Sequence, residues 1–275
     1  MDINIENIEE QNQKPKTIIK IIKIISTILL IIVLIIVYAR FKATTGLKIK
    51  EYKITNEKIP ENFHGTKVIH ISDIHYGNTV DINYLKSIVK EINKTKPDIL
   101  ILTGDLLDKT ITEEEKQNLI ETLKEIKVSI DKYAIMGDTD YDETLWNEII
   151  EKSDIININN KQKYIYKKNN QPIIITNKDE SNENIYTIYI THKPDEIENL
   201  QNKFDLLLAG HSLNGQINIP LIKKLLLQEG AKKYYKNHYI INNTDLYISS
   251  GIGTTEFKFR LFNKPSINLY RLTNH

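Results

Sequence analysis

The sequence contains no cysteine and has only 10 glycines and 7 prolines among its 275 residues. The lack of cysteine excludes a disulfide scaffold and any cysteine-ligated zinc or iron–sulfur site. The low glycine and proline content excludes a collagen-like or low-complexity chain, whereas a 40% apolar fraction is enough for a folded core. An excess of one charge is also missing, since 37 Lys and Arg face 36 Asp and Glu. Without a broad positive field, nucleic acid is not an expected partner.

One long apolar run lies near the N-terminus. The residues of Ile24–Ala39 carry no charge and would span roughly 24 Å as a helix, which is slightly short for a bilayer. Extending the run to residues 18–39 gives roughly 33 Å, if Lys20 and Lys23 reach the interface through their long side chains. We therefore predict a transmembrane anchor over residues 18–39, after a short polar tail over residues 1–17. The alternative is a cleaved signal peptide, but YARFKATTG offers no clear small-residue cleavage site.

The charges that flank the anchor do not decide its orientation. Four basic residues lie on each side of it, so the positive-inside rule gives a tie: Lys14, Lys16, Lys20 and Lys23 against Arg40, Lys42, Lys48 and Lys50. Because a short polar tail before a first helix commonly stays in the cytoplasm, we predict a single-pass protein of the cell membrane whose large domain lies outside.

Residues 45–275 are predicted to form one domain, because no repeat or long linker divides them. Their first half alternates strand-like runs (KVIHIS, DILILT, KYAIM) with helical patterns (INYLKSIVKEI, TEEEKQNLIETLKEI, DETLWNEII). Thr112 and Glu115 are predicted to form a capping box at the second of these helices. The second half is mostly strand-like: YIYKK, PIIIT, IYTIYI, FDLLLA, QINIP, DLYISS and INLYRL. The pattern predicts an α/β fold, either an open sheet or a two-sheet sandwich with outer helices.

Acidic residues and histidines follow five of these predicted strands. Ligands of α/β sheets bind beyond the carboxyl ends of the strands, where this chain carries Asp73, His75, Asp105, Asp108, Asp138, Asp140, His192 and His211. A single such residue is more often a helix cap or a structural histidine, but five strand ends together indicate one shared site. Carboxylates and imidazoles suit Mn, Fe, Zn or Mg, and paired ions of this kind commonly hydrolyse phosphoesters. The residues therefore predict a phosphoesterase.

Five motifs resemble one known family. SDIHYG, TGDLLD, THKPD, AGHSLNGQI and SSGIGTTEFKFRLFNKPSINLYRL together resemble the calcineurin-like metallophosphoesterases, in particular their membrane-anchored bacterial subgroup. The motifs occur in the family's order and spacing from about Lys50 onward. The resemblance implies a two-layer β-sandwich flanked by helices, one or two divalent metal ions at one edge of the central sheets, and hydrolysis of phosphomonoesters or phosphodiesters.

The resemblance also assigns residues to this site. It implies the following metal ligands: Asp73 and His75 for the first ion, Asp105 for both ions, and Asp138, His192 and His211 for the second. Asp108 is expected to steady the site from behind the ligands. Asp105, Asp138 and the residue at position 139 are the candidate catalytic positions.

Three positions depart from the family's motifs. Asp138 replaces a neutral amide ligand, and Thr139 replaces a catalytic histidine, so the acid normally present there is missing. Losing such an acid typically costs about 10² to 10⁴ in rate. Leu213 replaces the last imidazole ligand of the first ion, so we expect the second ion to bind more tightly. Two functions stay open: a slow metal-dependent phosphoesterase, and a pseudoenzyme that binds at the membrane without turnover.

Fewer signals concern the substrate. Gly251 and Gly253 in SGIGTT serve either a tight turn or a backbone contact with phosphate, and Arg260 serves either a phosphate or a surface salt bridge. The basic and aromatic stretch over residues 232–236 is either a solvated face or a contact for an anionic polymer or lipid headgroups. The anchor implies a phosphoester near the bilayer or in the cell wall.

Overall fold

The structure is a computed structural model that describes residues 5–108, 111–168, 171–219, 223–255 and 257–275. Within these residues, one long N-terminal helix precedes an alternation of strands and helices, and the C-terminal half is almost entirely strands. The elements are α1 (Ile5–Val37), β1 (Lys48–Thr55), β2 (Lys67–Ile71), α2 (Ile82–Thr95), β3 (Ile99–Thr103), α3 (Glu113–Lys124), β4 (Asp131–Ile135), α4 (Glu143–Lys152), β5 (Ile156–Asn157), β6 (Gln162–Ile165), β7 (Ile173–Thr176), β8 (Thr187–Thr191), β9 (Leu206–Ala209), β10 (His238–Ile241), β11 (Thr244–Ile248) and β12 (Ser266–Thr273).

The strands form two six-stranded sheets. The first has the order β1-β12-β2-β3-β4-β5, and the second has the order β10-β11-β9-β8-β7-β6. Strands β2 to β5 are parallel to one another, as are β7, β8, β9 and β11. Parallel strands place their carboxyl ends at one edge of a sheet, so the loops that follow them lie side by side. The predicted two-sheet sandwich is confirmed.

Alternating side chains of the central strands bury both faces of the first sheet. In β3, Ile99 and Ile101 pack between the two sheets, whereas Leu100 and Leu102 pack against the helices. This two-sided burial explains why the strand reads as a continuous apolar run rather than as an alternation of apolar and polar residues. The described loops at its carboxyl end therefore project from a rigid, fully packed layer.

The predicted helices of the first half are confirmed. In α2, the buried positions recur at helical spacing (Leu85, Ile88, Val89 and Ile92), and Asp81 caps the helix by accepting a hydrogen bond from the Tyr84 amide. In α3, Thr112 and Glu115 form the predicted capping box. Helix α4 contributes Trp146, which is fully buried against the first sheet.

Helix α1 extends away from the sandwich and is long and apolar enough to cross a membrane over Thr17–Lys42. A signal sequence would pass the same test, so the predicted bounds of 18–39 for the anchor and 45–275 for the domain stay predictions. The end of the helical segment contacts the folded domain. The Arg260 amide donates a 3.0 Å hydrogen bond to the Ala39 carbonyl, and Arg40 Nη1 lies 3.4 Å from the Lys258 carbonyl.

One strand prediction is wrong, and three strands were not predicted: β1, β5 and β10. QINIP was predicted as a strand, but its described residues, 216–219, form only one bridge, between Ile217 and Leu261. The apolar alternation did not indicate a strand here, because Ile217 lines a cavity instead of packing in a sheet. Strand β1 was not predicted, because Lys48–Thr55 carries charged residues at exposed positions of an edge strand.

Candidate metal centre

The loops after β2, β3, β4, β8 and β9 converge at one edge of the sandwich. Close approach of their backbones requires glycine: a Cβ added at Gly104 would lie 2.5 Å from His192 Nδ1 and 2.7 Å from the Gly137 Cα. Four of the predicted ligands also adopt positive φ angles of 51 to 62°, which non-glycine residues rarely do: Asp73, His75, Asp105 and His211. Such strained backbone tends to cluster at functional sites.

The first group of potential ligands comprises Asp73, His75 and Asp105. One ligand atom from each lies within 4.8 Å of the others, and all three side chains are buried. The Nε2 atom of His75 is buried without a hydrogen-bond partner among the described residues and lies 3.7 Å from Asp105 Oδ2. A buried imidazole nitrogen of this kind, facing two carboxylates, is the donor arrangement that a divalent metal requires.

The second group comprises Asp105, His192 and His211, which also meet within 4.8 Å. His192 Nδ1 lies 2.8 Å from the Thr103 carbonyl, and His211 Nε2 lies 2.7 Å from the Glu229 carbonyl. Because a carbonyl only accepts, each of these nitrogens carries a proton, and the other nitrogen of each ring faces the site. The two facing atoms, His192 Nε2 and His211 Nδ1, lie 3.2 Å apart, and His192 Nε2 lies 3.3 Å from Asp105 Oδ2.

Electrostatics couple these groups tightly. Burial disfavours the charged form of Asp105, but the His192 and His75 imidazoles and the Thr139 amide outweigh this and hold the pKa of Asp105 well below its usual range. Burial alone would lower the pKa of His192, yet its interaction with Asp105 raises the pKa to about 9. Burial raises the pKa of Asp73. The buried carboxylates of Asp73 and Asp105 lie close together and need positive charge nearby. Either a bound cation or a protonated imidazole supplies it.

The predicted supporting residue, Asp108, lies behind His75. Its Oδ1 atom is 3.2 Å from His75 Nδ1, and its other oxygen accepts a hydrogen bond from Asn78 Nδ2. A carboxylate on the far nitrogen of an imidazole ligand orients the ring and increases its basicity.

The loop after β4 differs from the buried groups. The side chain of Asp138 is 46% exposed, lies 3.7 Å from His211 Nδ1, and forms a 2.8 Å ion pair with Lys193. Asp138 belongs to neither three-residue group within the described chain, so its role as a metal ligand stays a prediction. The Thr139 amide donates to Asp105 Oδ1 at 2.9 Å, and its hydroxyl donates to the Leu107 carbonyl.

Asp140 holds two of the converging loops together. Its carboxylate accepts hydrogen bonds from the amides of Leu107 and Gly137, each at 2.9 Å, and from the Leu106 amide at 3.3 Å. Burial raises the pKa of Asp140 to about 6 despite these bonds. This acid at the end of β4 is therefore structural.

The structure pairs Gly251, Gly253 and Arg260, which the sequence offered as possible substrate contacts, with groups of the protein itself. The Gly251 amide donates to Ser249 Oγ at 3.1 Å and the Gly253 amide to the Asp73 carbonyl at 2.7 Å, so neither is free for a phosphate. The alternative, a tight turn packed against the site, is what the structure shows. Arg260 is fully buried, and its guanidinium donates to the carbonyls of this same turn, with Arg260 Nη2 2.6 Å from the Gly253 oxygen. Because the side chain is buried, it does not form the surface salt bridge within the described residues.

Sequence reasoning missed two contributors. The first is Lys193, which directly follows the candidate ligand His192 in THKPD. This neighbouring position could have indicated that Lys193 lies at the site. Thr103, the last residue of β3, orients His192 through its carbonyl, which no side-chain pattern reveals. Leu213 is buried beside the turn at Gly251, at the position where the resemblance places an imidazole.

Comparison with known proteins decides the family. Residues 66–238 match the family described as calcineurin-like phosphoesterase. This chain belongs to the calcineurin-like phosphoesterase family. It is 24% identical over 253 residues to the uncharacterized metallophosphoesterase YkuE of Bacillus subtilis, covering 86% of this chain and 88% of that one. It is 22% identical to phosphodiesterase YaeI of Escherichia coli, covering 75% and 82%. A transmembrane protein with a metallophosphoesterase domain from Danio rerio is 29% identical over 134 residues, which cover 48% of this chain and 30% of the relative.

The donors of the site fit the divalent ions that the family implies. Two groups of buried carboxylates and imidazoles share Asp105. In the first group, His75 Nε2 has no hydrogen-bond partner among the described residues. In the second group, backbone carbonyls orient the imidazoles of His192 and His211. Oxygen and imidazole donors of this kind accept Mn, Fe, Zn or Mg. Both groups have three donors, so the geometry does not rank their affinities, and tighter binding of the second ion stays a prediction.

Proposed function

We propose that this protein is a membrane-anchored, metal-dependent phosphoester hydrolase with slow turnover, acting on phosphodiesters or phosphomonoesters. The observation that carries the proposal is the pair of buried three-donor groups that share Asp105. The name of the Escherichia coli relative, a phosphodiesterase, makes a phosphodiester the first substrate to test.

The residues of the chain would act in the following way. Hydrolysis of a phosphodiester adds the oxygen of water to phosphorus, breaks one P–O ester bond and places a proton on the leaving oxygen. Asp73, His75 and Asp105 would hold one ion, and Asp105, His192 and His211 would hold the other. When bound, such ions act as Lewis acids toward phosphate oxygens and lower the pKa of water. The carbonyls of Thr103 and Glu229 keep both imidazoles in the tautomers that this requires.

Slow turnover follows from the residue at position 139. A neutral hydroxyl does not supply a proton near pH 7, and the Thr139 hydroxyl already donates to the Leu107 carbonyl. The leaving oxygen must therefore take its proton from water. Because general acid catalysis contributes about 10² to 10⁴, we expect a working but slow enzyme.

A second candidate is a phosphoester-binding protein without turnover. Two observations favour it: Thr139 in place of the acid, and the buried Leu213 in place of an imidazole. In this case the charged groups would still bind phosphate, but nothing would cleave it.

Hydrolysis of bis-p-nitrophenyl phosphate by the full chain in detergent, with added Mn²⁺, separates the two candidates. We expect a rate above background that Asp105→Asn abolishes. Asp154→Asn is the matched control, because this exposed carboxylate lies outside both donor groups and should leave the rate unchanged. Equal background rates for the wild type and Asp105→Asn would favour the binding protein. Elemental analysis of the purified chain identifies the ion.

We also propose that the large domain lies outside the cell membrane, where its substrate would be a lipid-linked or wall-linked phosphoester. The absence of cysteine makes the topology testable, because any cysteine introduced is the sole labelling site. Tyr164→Cys, at an exposed position of β6, should react with a membrane-impermeant maleimide in intact cells. Labelling only after lysis would place the domain inside.

A further inference from the structure

A cavity of about 660 Å³ opens beside the metal centre. His75, Asp108 and Thr139 line it, so a phosphate in the cavity would have the donor groups within reach. Its other side chains are four polar ones (Ser212, Gln216, Gln228 and Thr255) and five apolar ones, which we call the apolar wall: Leu213, Ile217, Leu226, Phe257 and Phe259. A site for a small, fully charged phosphoester has no need of such a wall, because burying its polar groups against hydrocarbon is unfavourable.

The apolar wall is attached to the end of the candidate membrane span. Phe257 and Phe259 flank Lys258, whose carbonyl lies 3.4 Å from Arg40 Nη1, and the next residue, Arg260, donates its amide to Ala39. Ala39 and Arg40 belong to the last turns of the segment Thr17–Lys42. If that segment crosses a bilayer, its end lies at the bilayer surface, and the cavity wall lies there with it.

The residues around this junction have the composition of a membrane interface. Three phenylalanines expose most of their side chains: Phe41 at 67%, Phe257 at 71% and Phe262 at 74%. Basic residues lie among them in the sequence, namely Arg40, Lys42, Lys258 and Lys264. Aromatic rings favour the interfacial region of a bilayer, and basic side chains are attracted to anionic headgroups.

We propose that the substrate is a phosphoester that carries a long hydrocarbon chain, drawn directly from the membrane, with its phosphate at the donor groups and its chain against the apolar wall. This inference rests on the proposed hydrolase function and specifies its substrate class. It also explains Leu213. The resemblance places an imidazole ligand at this position, and the leucine that replaces it belongs to the apolar wall beside the donor groups. A chain that leaves the bilayer for such a wall avoids the cost of exposure to water, about 0.8 kcal/mol for each CH₂ group.

The first test compares two phosphatidylglycerols with the same headgroup, one dihexanoyl and soluble, the other dioleoyl in vesicles. The full chain reconstituted with Mn²⁺ should cleave the dioleoyl ester at least about tenfold faster. Phe257→Ser should lower the ratio of the two rates about tenfold, because it removes a large apolar contact. Tyr166→Ser is the matched control, since this aromatic is 59% exposed and follows β6, at the far edge of the second sheet.

The second test does not depend on turnover. A phosphatidylglycerol with a diazirine at the end of one acyl chain is photolysed in vesicles that contain the wild type or Asp105→Asn. Labelling of peptides that contain Leu213 and Phe257, in both proteins, supports the inference even if neither hydrolyses anything, in which case only the hydrolase function fails. Competition by an unlabelled polyprenyl phosphate in the same vesicles distinguishes an isoprenoid from an acyl chain.

One pattern of results overturns the inference while the proposed function stands. This is cleavage of the soluble ester with no preference for the dioleoyl ester, together with acyl labelling confined to the helix over Thr17–Lys42.

Discussion

The metal centre has two regions with opposite character. We call Asp73, His75, Asp105, His192 and His211 the floor, because their side chains lie at the sheet edge and are at most 6% exposed. We call Asp138, Thr139 and Lys193 the rim; here the Asp138 and Lys193 side chains are 46% and 33% exposed. The resemblance predicts that the floor residues match the family's motifs and that two of the three rim residues, Asp138 and Thr139, depart from them.

The difference shows which parts of the site the fold controls. The floor residue Asp105 contacts His75, His192 and the Thr139 amide in a buried setting, so a change there leaves a charge or a donor without a partner. A rim residue is near water, which can replace a lost partner. Chemistry at the rim is therefore free to change while the donor groups persist.

The most direct test of this comparison replaces one carboxylate from each region. Asp105→Asn should lower kcat/KM on bis-p-nitrophenyl phosphate at least about 100-fold, because it removes a charge shared by both donor groups. Asp138→Asn should change kcat/KM less than about threefold, because an exposed ion pair contributes little. Metal content measured on the same samples should fall only for Asp105→Asn. Similar losses for both variants would remove the distinction between floor and rim.

Restoring an acid at the rim should increase turnover. Thr139→His, at a partly exposed position that lines the cavity, should raise kcat about 100-fold and introduce an acidic limb into the pH–rate profile. Thr139→Ala serves as the control, since it removes the hydroxyl without adding an acid. If the histidine variant is no faster than the alanine variant, the missing acid is not what limits the rate.

A histidine beneath the floor should make folding sensitive to acid. His70 is fully buried, its Nε2 lies 2.8 Å from Thr103 Oγ1, and burial lowers its pKa to about 3. The unfolded chain binds this proton near pH 6.5, so stability is present above that pH and is lost as the pH falls toward 3.

Between pH 7.5 and 5 this loss should amount to about 2 kcal/mol of unfolding free energy. The loss should be absent from the His70→Gln variant. Urea unfolding in EDTA, followed by the fluorescence of the buried Trp146, measures it. His64→Gln, at an exposed histidine, is the control, and equal pH dependence of wild type and His70→Gln would contradict the assignment.

The smallest effect is expected at Lys193. Lys193→Met removes the cation that pairs with Asp138, which in turn lies 3.7 Å from His211 Nδ1, and a nearby unit charge in water is worth about 1 kcal/mol. Metal affinity by calorimetry should therefore rise about fivefold, with little change in stability. Lys203→Met, at an exposed loop position, should leave the affinity unchanged. A fall in affinity would show that Lys193 supports the metal instead of competing with it.

Sequence periodicity predicted the elements that position the site. Strands β2, β3 and β4 and the capped helix α3 were predicted because their patterns are local and strong. QINIP failed because an apolar alternation also fits a segment that lines a cavity. Strand β1 was missed because it pairs with β12, more than 200 residues away, and local charge obscured its pattern.

The sequence alone determined that acids and imidazoles follow successive buried strands. This is because a local apolar run indicates a buried strand, and polar residues mark where the strand ends. Through the resemblance it also predicts that an acid and an imidazole are replaced at Thr139 and Leu213. Only the tertiary structure decided which charges meet. It pairs Asp138 with Lys193, buries Arg260 against the turn that follows β11, and attaches the apolar wall of the cavity to the end of the segment Thr17–Lys42. These contacts join residues from different sheets and loops, so they depend on how the layers pack and leave no local signal.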